Sequence, residues 1–272
     1  MSITQSEFDL VRKLAFDEAG IVLEHDKQYL VESRLQSLAK QTSHESPSSL
    51  IGQIARDIRL KQKVVEAMTT NETTFFRDHE PFEMLKNDIL PALIQARQHT
   101  KQLRFWYAAC STGQEPYSML MLLAEHFPQL ASWNVTHLAT DISKDVIAKA
   151  REGEYTQFEV NRGLPALYLA KYFQKKGLHW KVSDALRRQL QFQEFNLNRT
   201  WVGIPKADIV FLRNVMIYFD LDAKRRIFQQ LERTMEPDGY LFLGTAETTL
   251  NVTASFQRVA FGRTACYRPA AA

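Results

Sequence analysis

The chain carries only two cysteines, Cys110 and Cys266, in 272 residues. Two cannot build a disulfide framework, and a reducing compartment is the simpler expectation. No stretch approaches the roughly 20 apolar residues that span a bilayer. Glu7, Asp9, Asp17 and Glu18 appear early, with no apolar signal core ahead of them, so a cytoplasmic location without membrane insertion is expected. An excess of one charge is also missing. The 34 basic and 31 acidic residues leave a net charge of +3, too balanced to point to nucleic acid. The phosphate-loop patterns G-x-G-x-x-G and G-K-[ST] are absent, and so is the G-x-S-x-G elbow of serine hydrolases. The seven histidines are scattered, so no metal site is expected. There are no repeats, and Ala270–Ala272 is the one low-complexity run.

What is present is an ordinary apolar fraction of 45%, enough for a core in one large domain or two modest ones. Residues 1 to about 70 hold little that reads as strand. Phe8, Val11, Leu14 and Ala15 recur at helical spacing, as do Leu30, Leu35 and Leu38. Ser48–Asp57 and Arg59–Thr69 read as two further helices, with Pro47 near a helix start. Pro81 and Pro91 bracket a helix over Phe82–Leu90. From Leu103 strands and helices alternate. The strands are Leu103–Ala109, Val135–Ala139 and Asp208–Leu212, and the helices are Pro116–His126, Ser143-capped to Arg151, and Leu221–Met235. Pro237-Asp238-Gly239 reads as a turn before Tyr240–Leu243, and Phe256–Phe261 with Ala265–Arg268 as a closing hairpin. Such alternation predicts an α/β fold with a doubly wound parallel sheet. A helical domain with its linker over 1–78 precedes a sheet domain over 79–272. A stretch near 155–195, with short strands at Lys181–Val182 and Gln191–Phe195, reads as a small inserted β-subdomain.

Three polar segments lie beside apolar runs: Asn71–Arg77 (NETTFFR), Tyr107–Ser118 (YAACSTGQEPYS) and Leu212–Asp220 (LRNVMIYFD). The last two follow candidate strands, and ligands in open α/β sheets bind at the carboxyl ends of strands. In the second segment small residues and one glycine allow close backbone approach. Glu115 there suits an amino group or a ribose, or is simply an acid favoured by a helix N-terminus. Asp141 ends the second strand, where an acid accepts from ribose hydroxyls, though Asp is also a common helix cap. Phe75 and Phe76 read as core. Arg77 is placed either to fork onto a carboxylate or to pair with Asp78 or Glu80. Tyr218 either finishes the packing with its hydroxyl at the surface or works in the site. Cys110 reads as a small packing residue.

Together with the helical N-terminal region, ATDIS at Ala139–Ser143 and FNL at Phe195–Leu197, these segments make the chain resemble the chemotaxis receptor methyltransferase family, the CheR type, over nearly its whole length. The resemblance implies a class I methyltransferase (Rossmann-like) sheet that binds S-adenosylmethionine. It also implies methyl transfer to glutamates on the cytoplasmic helical bundle of chemoreceptors. It places Asn71, Thr73 and Arg77 at the methionine end of the cofactor, Glu115 in the cofactor loop and Asp141 on the ribose. Asn196 and Leu197 flank the adenine, and Leu212, Arg213 and Asn214 complete the pocket. Arg77 and Tyr218 match the pair nearest the transferred methyl. The chain is expected to act as a monomer.

The chain departs from the family pattern in one place. Some members grip a peptide at the receptor C-terminus with a glycine-rich loop in the inserted subdomain. Here Phe173–Trp180 (FQKKGLHW) is short and holds only Gly177, so independence of that peptide is expected. Lys171, Lys175, Lys176, Lys181, Arg187, Arg188 and Arg199 stand against Asp184 and Glu194 in the same stretch, an excess suited to steering toward an acidic bundle. In the N-terminal region Arg56, Arg59 and Lys63 are placed to share a helix face. Two rival readings are a methyltransferase for RNA or a small molecule and a non-catalytic cofactor sensor. The modest charge argues against RNA, and the presence of both Arg77 and Tyr218 argues against the sensor.

Overall fold

The computed structural model describes residues 3–262 and 264–270; Ala271 and Ala272 of the terminal run lie outside the described residues. The N-terminal region is four helices: α1 (Gln5–Ala19), α2 (Gln28–Gln41), α3 (Pro47–Ile51) and α4 (Ile58–Ala67). Local chemistry sets their ends. Thr4 and Glu7 form a capping box at α1, Ser46 caps α3 ahead of Pro47, and the Asp57 side chain accepts from two N–H groups of α4. Phe8, Val11 and Ala15 of α1 and Val31, Leu35 and Leu38 of α2 share one core running from Ile3 to Met68, with α4 packed against both helices. Phe75 already belongs to the next core, so the first core ends at Met68 and the segment after it packs with the sheet domain. Arg56 precedes the Asp57 cap, leaving Arg59 and Lys63 on the exposed face of α4.

Pro91 does not end a helix. Helix α5 (Glu80–Met84) runs through a π turn at Leu85–Ile89 into α6 (Leu90–Ala96). A proline inside a helix lacks an N–H and crowds the carbonyl four residues back. The widened π turn just before Pro91 gives the ring room.

The main sheet has seven strands: β1 (Gln102–Ala108), β2 (Asn134–Asp141), β6 (Leu190–Glu194), β7 (Ala207–Leu212), β8 (Met235–Leu243), β9 (Phe256–Phe261) and β10 (Thr264–Pro269). Their order is β6-β2-β1-β7-β8-β10-β9. The first five are parallel, and β10 with β9 closes the edge antiparallel. Helices α7 (Gln114–His126), α8 (Lys144–Glu152) and α12 (Leu221–Arg233) make crossovers. Alternation along β1 sends Phe105 and Tyr107 into one core and Trp106 and Ala108 into the other. All six residues of β7 are buried, as befits a central parallel strand. On the buried face His137 of β2 lies 3.1 Å from the Tyr107 hydroxyl, and burial pulls its imidazole down to about 3, so it is a neutral core residue.

Two further expectations change. Pro237-Asp238-Gly239 lies inside β8, where pairing with β7 jumps from Ala207–Met235 to Ile209–Tyr240. The extra residues bulge out, and there a proline without an N–H costs no ladder bond. The inserted sheet consists of β3 (Glu154–Thr156), β4 (Phe173–Lys176) and β5 (His179–Val182), in the order β3-β5-β4. Helices α9 (Gln157–Asn161) and α10 (Ala166–Tyr172) join β3 to β4, and α11 (Asp184–Arg187) leads back. Lys181–Val182 is a strand of this sheet. Gln191–Phe195 is not: β6 pairs in parallel with β2, and Phe192 packs near Tyr117 of the main core. The insertion therefore closes soon after Val182.

Acids outside the counted segment offset part of the basic excess of this region. Lys171 pairs with Glu125, Lys176 and Lys181 share Glu154, and Arg199 pairs with Glu18. Arg187 and Arg188 share Asp184. No helix among the described residues is long and apolar enough to cross a membrane.

From β1 the chain works outward through β2 to β6, then returns to the other side of β1 as β7. The crevice at the carboxyl edge between β1 and β7 is the switch point of the sheet, the place where such folds bind ligands.

Candidate active site

Five parallel strands end at this edge, and the segments after β1, β2, β6 and β7 line the crevice. After β1 the chain turns sharply, with Ala109 at φ 64°, Ser111 at φ 50° and Gly113 at φ 91°. A side chain at Gly113 would also stand 3.0 Å from Ala150 Cβ, so only glycine lets α7 start this close to α8. The turn aims the Ser111 N–H at Asp141 Oδ2 (2.9 Å), and the Ser143 N–H donates to Asp141 Oδ1 (3.1 Å). Ser143, not Asp141, caps α8. The carboxylate of Asp141 is thus free of capping duty and lines the crevice. Burial raises its pKa, opposed by the N–H groups of Ser143, Ser111 and Ile142.

The crevice is a partly open cavity lined by residues of both domains. Asn71, Thr73, Arg77, Glu115, Asp141, Asn196, Leu197, Arg213, Asn214 and Tyr218 all line it. Leu212 does not. It is the last residue of β7, fully buried, and packs in the core on the other face. The N-terminal domain adds Ala19 and Ile21 to the wall. It is tied down where Val22 N–H donates to the Tyr218 carbonyl (2.9 Å) and Asn196 Nδ2 donates to the Glu18 carbonyl (2.7 Å).

Arg213 and Glu115 are coupled. The Arg213 side chain is 2% exposed. Its Nη1 donates to Glu115 Oε1, and its Nη2 donates to Asp78 Oδ2 (2.6 Å) and to the Arg77 carbonyl (3.1 Å). The guanidinium therefore borders the cavity with its terminal N–H groups committed to protein partners. Burial raises the pKa of Glu115, and Arg213 opposes it. With Asp78 turned to Arg213, Arg77 is free of the neighbour its sequence offered. Its Nη1 donates instead to the Glu72 carbonyl (2.9 Å). Asn71 is anchored through its carbonyl, which accepts from Ser111 Oγ (2.8 Å).

Sequence reasoning missed Glu247. Its carboxylate accepts from the N–H groups of Gly244 (2.6 Å), Asn214 (2.8 Å) and Met216 (2.7 Å). These bonds hold Asn214 at φ 59° and so hold the turn that carries Tyr218. Its partners lie up to 33 positions away, and the only local signal was an acid shortly after a strand.

Residues 6–69 match the model described as CheR methyltransferase, all-alpha domain, and residues 71–264 match CheR methyltransferase, SAM binding domain. This chain belongs to the CheR methyltransferase family. It is similar to chemotaxis protein methyltransferase 1 of Pseudomonas aeruginosa, 42% identical over 265 residues, covering 95% of this chain and 96% of that one. Chemotaxis protein methyltransferase Cher2 of Pseudomonas putida is 40% identical over 266 residues, at 95% and 96% coverage. Chemotaxis protein methyltransferase 1 of Vibrio cholerae is 36% identical over 266 residues, at 95% of each chain. The protein is a chemotaxis methyltransferase with a class I fold, and S-adenosylmethionine is its cofactor. The cavity of this CheR methyltransferase has the donor set such a molecule needs. The carboxylates of Glu115 and Asp141 suit an ammonium and ribose hydroxyls, and Ile21, Ile142, Phe195 and Leu197 supply apolar wall for a purine.

Proposed function

We propose that this methyltransferase esterifies glutamate side chains on the cytoplasmic helical bundle of chemoreceptors, working in the cytoplasm as a monomer. The observation that carries the reading is Arg77: its guanidinium borders the same cavity as Asp141, Glu115 and Tyr218, with its neighbouring acid drawn away to Arg213. An arginine in that position suits an anionic acceptor, which it can grip through two parallel N–H···O bonds. Asn71, Thr73, Glu115, Asp141, Asn196, Leu197 and Asn214 are assigned to holding the cofactor. Arg213 is assigned to holding Glu115 and the Asn71–Arg77 segment in place.

The chemistry asks little of the protein beyond placement. A glutamate with a pKa near 4.3 is ionised at neutral pH, so no general base is required. Bound S-adenosylmethionine supplies an activated sulfonium methyl. Arg77 orients the acceptor carboxylate, Tyr218 helps hold it, and the N-terminal domain, through Ala19 and Ile21, keeps water from one side of the cavity. The test is transfer of radiolabel from S-adenosylmethionine to receptor-containing membranes, followed by mild alkali. The expected result is label released as methanol, the mark of carboxyl methyl esters. Label that resists alkali, or binding of cofactor with no label on a broad receptor panel, would refute the reading.

The same reading includes independence of a receptor tethering peptide. Lys176 pairs directly with His179, leaving Gly177 (φ 61°) and Leu178 as a two-residue hairpin turn. That turn is too tight to wrap a peptide. Calorimetry with a receptor C-terminal pentapeptide is expected to show no heat of binding; a micromolar complex would overturn this part.

A further inference from the structure

Glu72 is a carboxylate of the protein's own beside the group assigned to the acceptor carboxylate. It lines the cavity, its carbonyl receives Arg77 Nη1 at 2.9 Å, and its side chain is 62% exposed. The Arg77 charge already acts on it: the Glu72 carboxyl is held below its ordinary pKa first by Arg162 and then by Arg77. A carboxylate five residues from an arginine has a high effective concentration around it. Left alone, Glu72 is a built-in competitor for the guanidinium.

Arg162, from the inserted subdomain, holds it elsewhere. Its Nη2 donates to Glu72 Oε1 at 2.7 Å, and its guanidinium lies 5.6 Å from the centre of the Phe158 ring. The backbone beside it is pinned to the Asn71–Arg77 segment. Gly163 has φ 85°, and a Cβ there would stand 2.0 Å from the Phe75 carbonyl oxygen. Only glycine allows the insertion to approach this closely, and the approach delivers Arg162 to Glu72 in a set position.

We propose that Arg162 is a positioning residue for methyl transfer: by holding the Glu72 carboxylate it keeps Arg77 available to the acceptor glutamate. The proposal rests on the reading of Arg77 given above. Its energetic form is a population of competent sites. If Glu72 closes onto Arg77 for about nine-tenths of the time once released, the apparent receptor KM rises about tenfold at unchanged chemistry.

The test compares wild type, Arg162→Ala, Arg162→Lys and the double variant Glu72→Gln/Arg162→Ala on receptor-containing membranes. Arg162→Ala is expected to raise the receptor KM about tenfold, with kcat and S-adenosylhomocysteine affinity close to wild type. Arg162→Lys restores part of the loss, and the double variant restores most of it. If Arg162 instead contacts the receptor directly, Glu72→Gln does not rescue, and the proposal fails. Equal losses in kcat and cofactor affinity would also overturn it. A receptor-free arm separates this outcome from failure of the functional reading. In arginine-labelled protein the Arg77 Nε–H resonance is expected to shift in Arg162→Ala and to return in the double variant. An unmoved resonance in all proteins sinks the proposal whatever the acceptor is.

Discussion

Arg77→Ala is expected to lower receptor-methylation turnover by about 10²–10³-fold, the usual effect of removing one preorganised charge-orienting donor, while S-adenosylhomocysteine affinity stays close to wild type. The prediction follows from where the guanidinium is anchored. Arg77 is held through the Glu72 carbonyl, and the residues assigned to the cofactor are fixed without it. Asp141 is held by the N–H groups of Ser111 and Ser143, Glu115 by Arg213, and Asn214 by Glu247. Truncation at Arg77 leaves those contacts in place and removes only the group assigned to the acceptor. Lysine is not expected to substitute, since it cannot form the planar two-bond fork. Single-turnover kinetics and calorimetry with S-adenosylhomocysteine give the two numbers. Equal losses in both would remove Arg77 from the acceptor role and make it a cofactor ligand.

Arg213→Met is expected to cost about 3–5 kcal/mol of stability, the range for breaking a buried ion pair from one side. The Arg213 side chain is 2% exposed and meets two carboxylates, Asp78 and Glu115, of which Glu115 is 13% exposed. Methionine fills much of the volume but leaves both acids and the Arg77 carbonyl without their donor. The local backbone adds to the cost. Phe76, Asp78 and His79 sit at φ 48°, 65° and 50°, a conformation that costs non-glycine residues of order 1 kcal/mol each. Arg213 is one of the contacts that hold this stretch, together with the Ser118 hydroxyl, which accepts from the Phe76 N–H at 2.9 Å. Urea unfolding measures the loss. Adding Asp78→Asn and Glu115→Gln to Arg213→Met is expected to recover part of it, because the unpaired charges go. A loss below about 1 kcal/mol, the worth of an exposed pair, would mean that water reaches the site and that Arg213 does not organise it.

These two arginines show how far the sequence reading reached. Arg77 was singled out because a polar cluster, two phenylalanines and an arginine make an odd domain junction. Its sequence neighbours Asp78 and Glu80 offered an equally simple pairing. Only the fold shows that Asp78 is taken by a residue 135 positions away. Arg213 was placed in the pocket by the family resemblance, and it does border the cavity, but its terminal donors face inward to protein partners. Leu212, one position earlier, was placed in the pocket by the same resemblance. The strand alternation sends its side chain into the core instead.

The sequence by itself determined what depends on near neighbours and on periodicity. That includes the helical start, the alternation of strands and helices, the ends of β1, β2 and β7, the Ser143 cap, and the segments that meet at the switch point. Their spacing also carried the family resemblance. The tertiary structure alone decided what depends on distant partners. Pro91 continues a helix because a π turn makes room, and Gln191–Phe195 joins the main sheet because β2 offers a free edge. The basic excess of the insertion is partly offset because Glu125, Glu154 and Glu18 come to it from elsewhere in the chain. Glu247 holds the turn of Asn214 across a gap of 33 residues. A side chain's charge and type are written in the chain, but its partner is chosen by packing. In a site assembled from two domains, that choice separates the residues that meet the ligand from those that hold them.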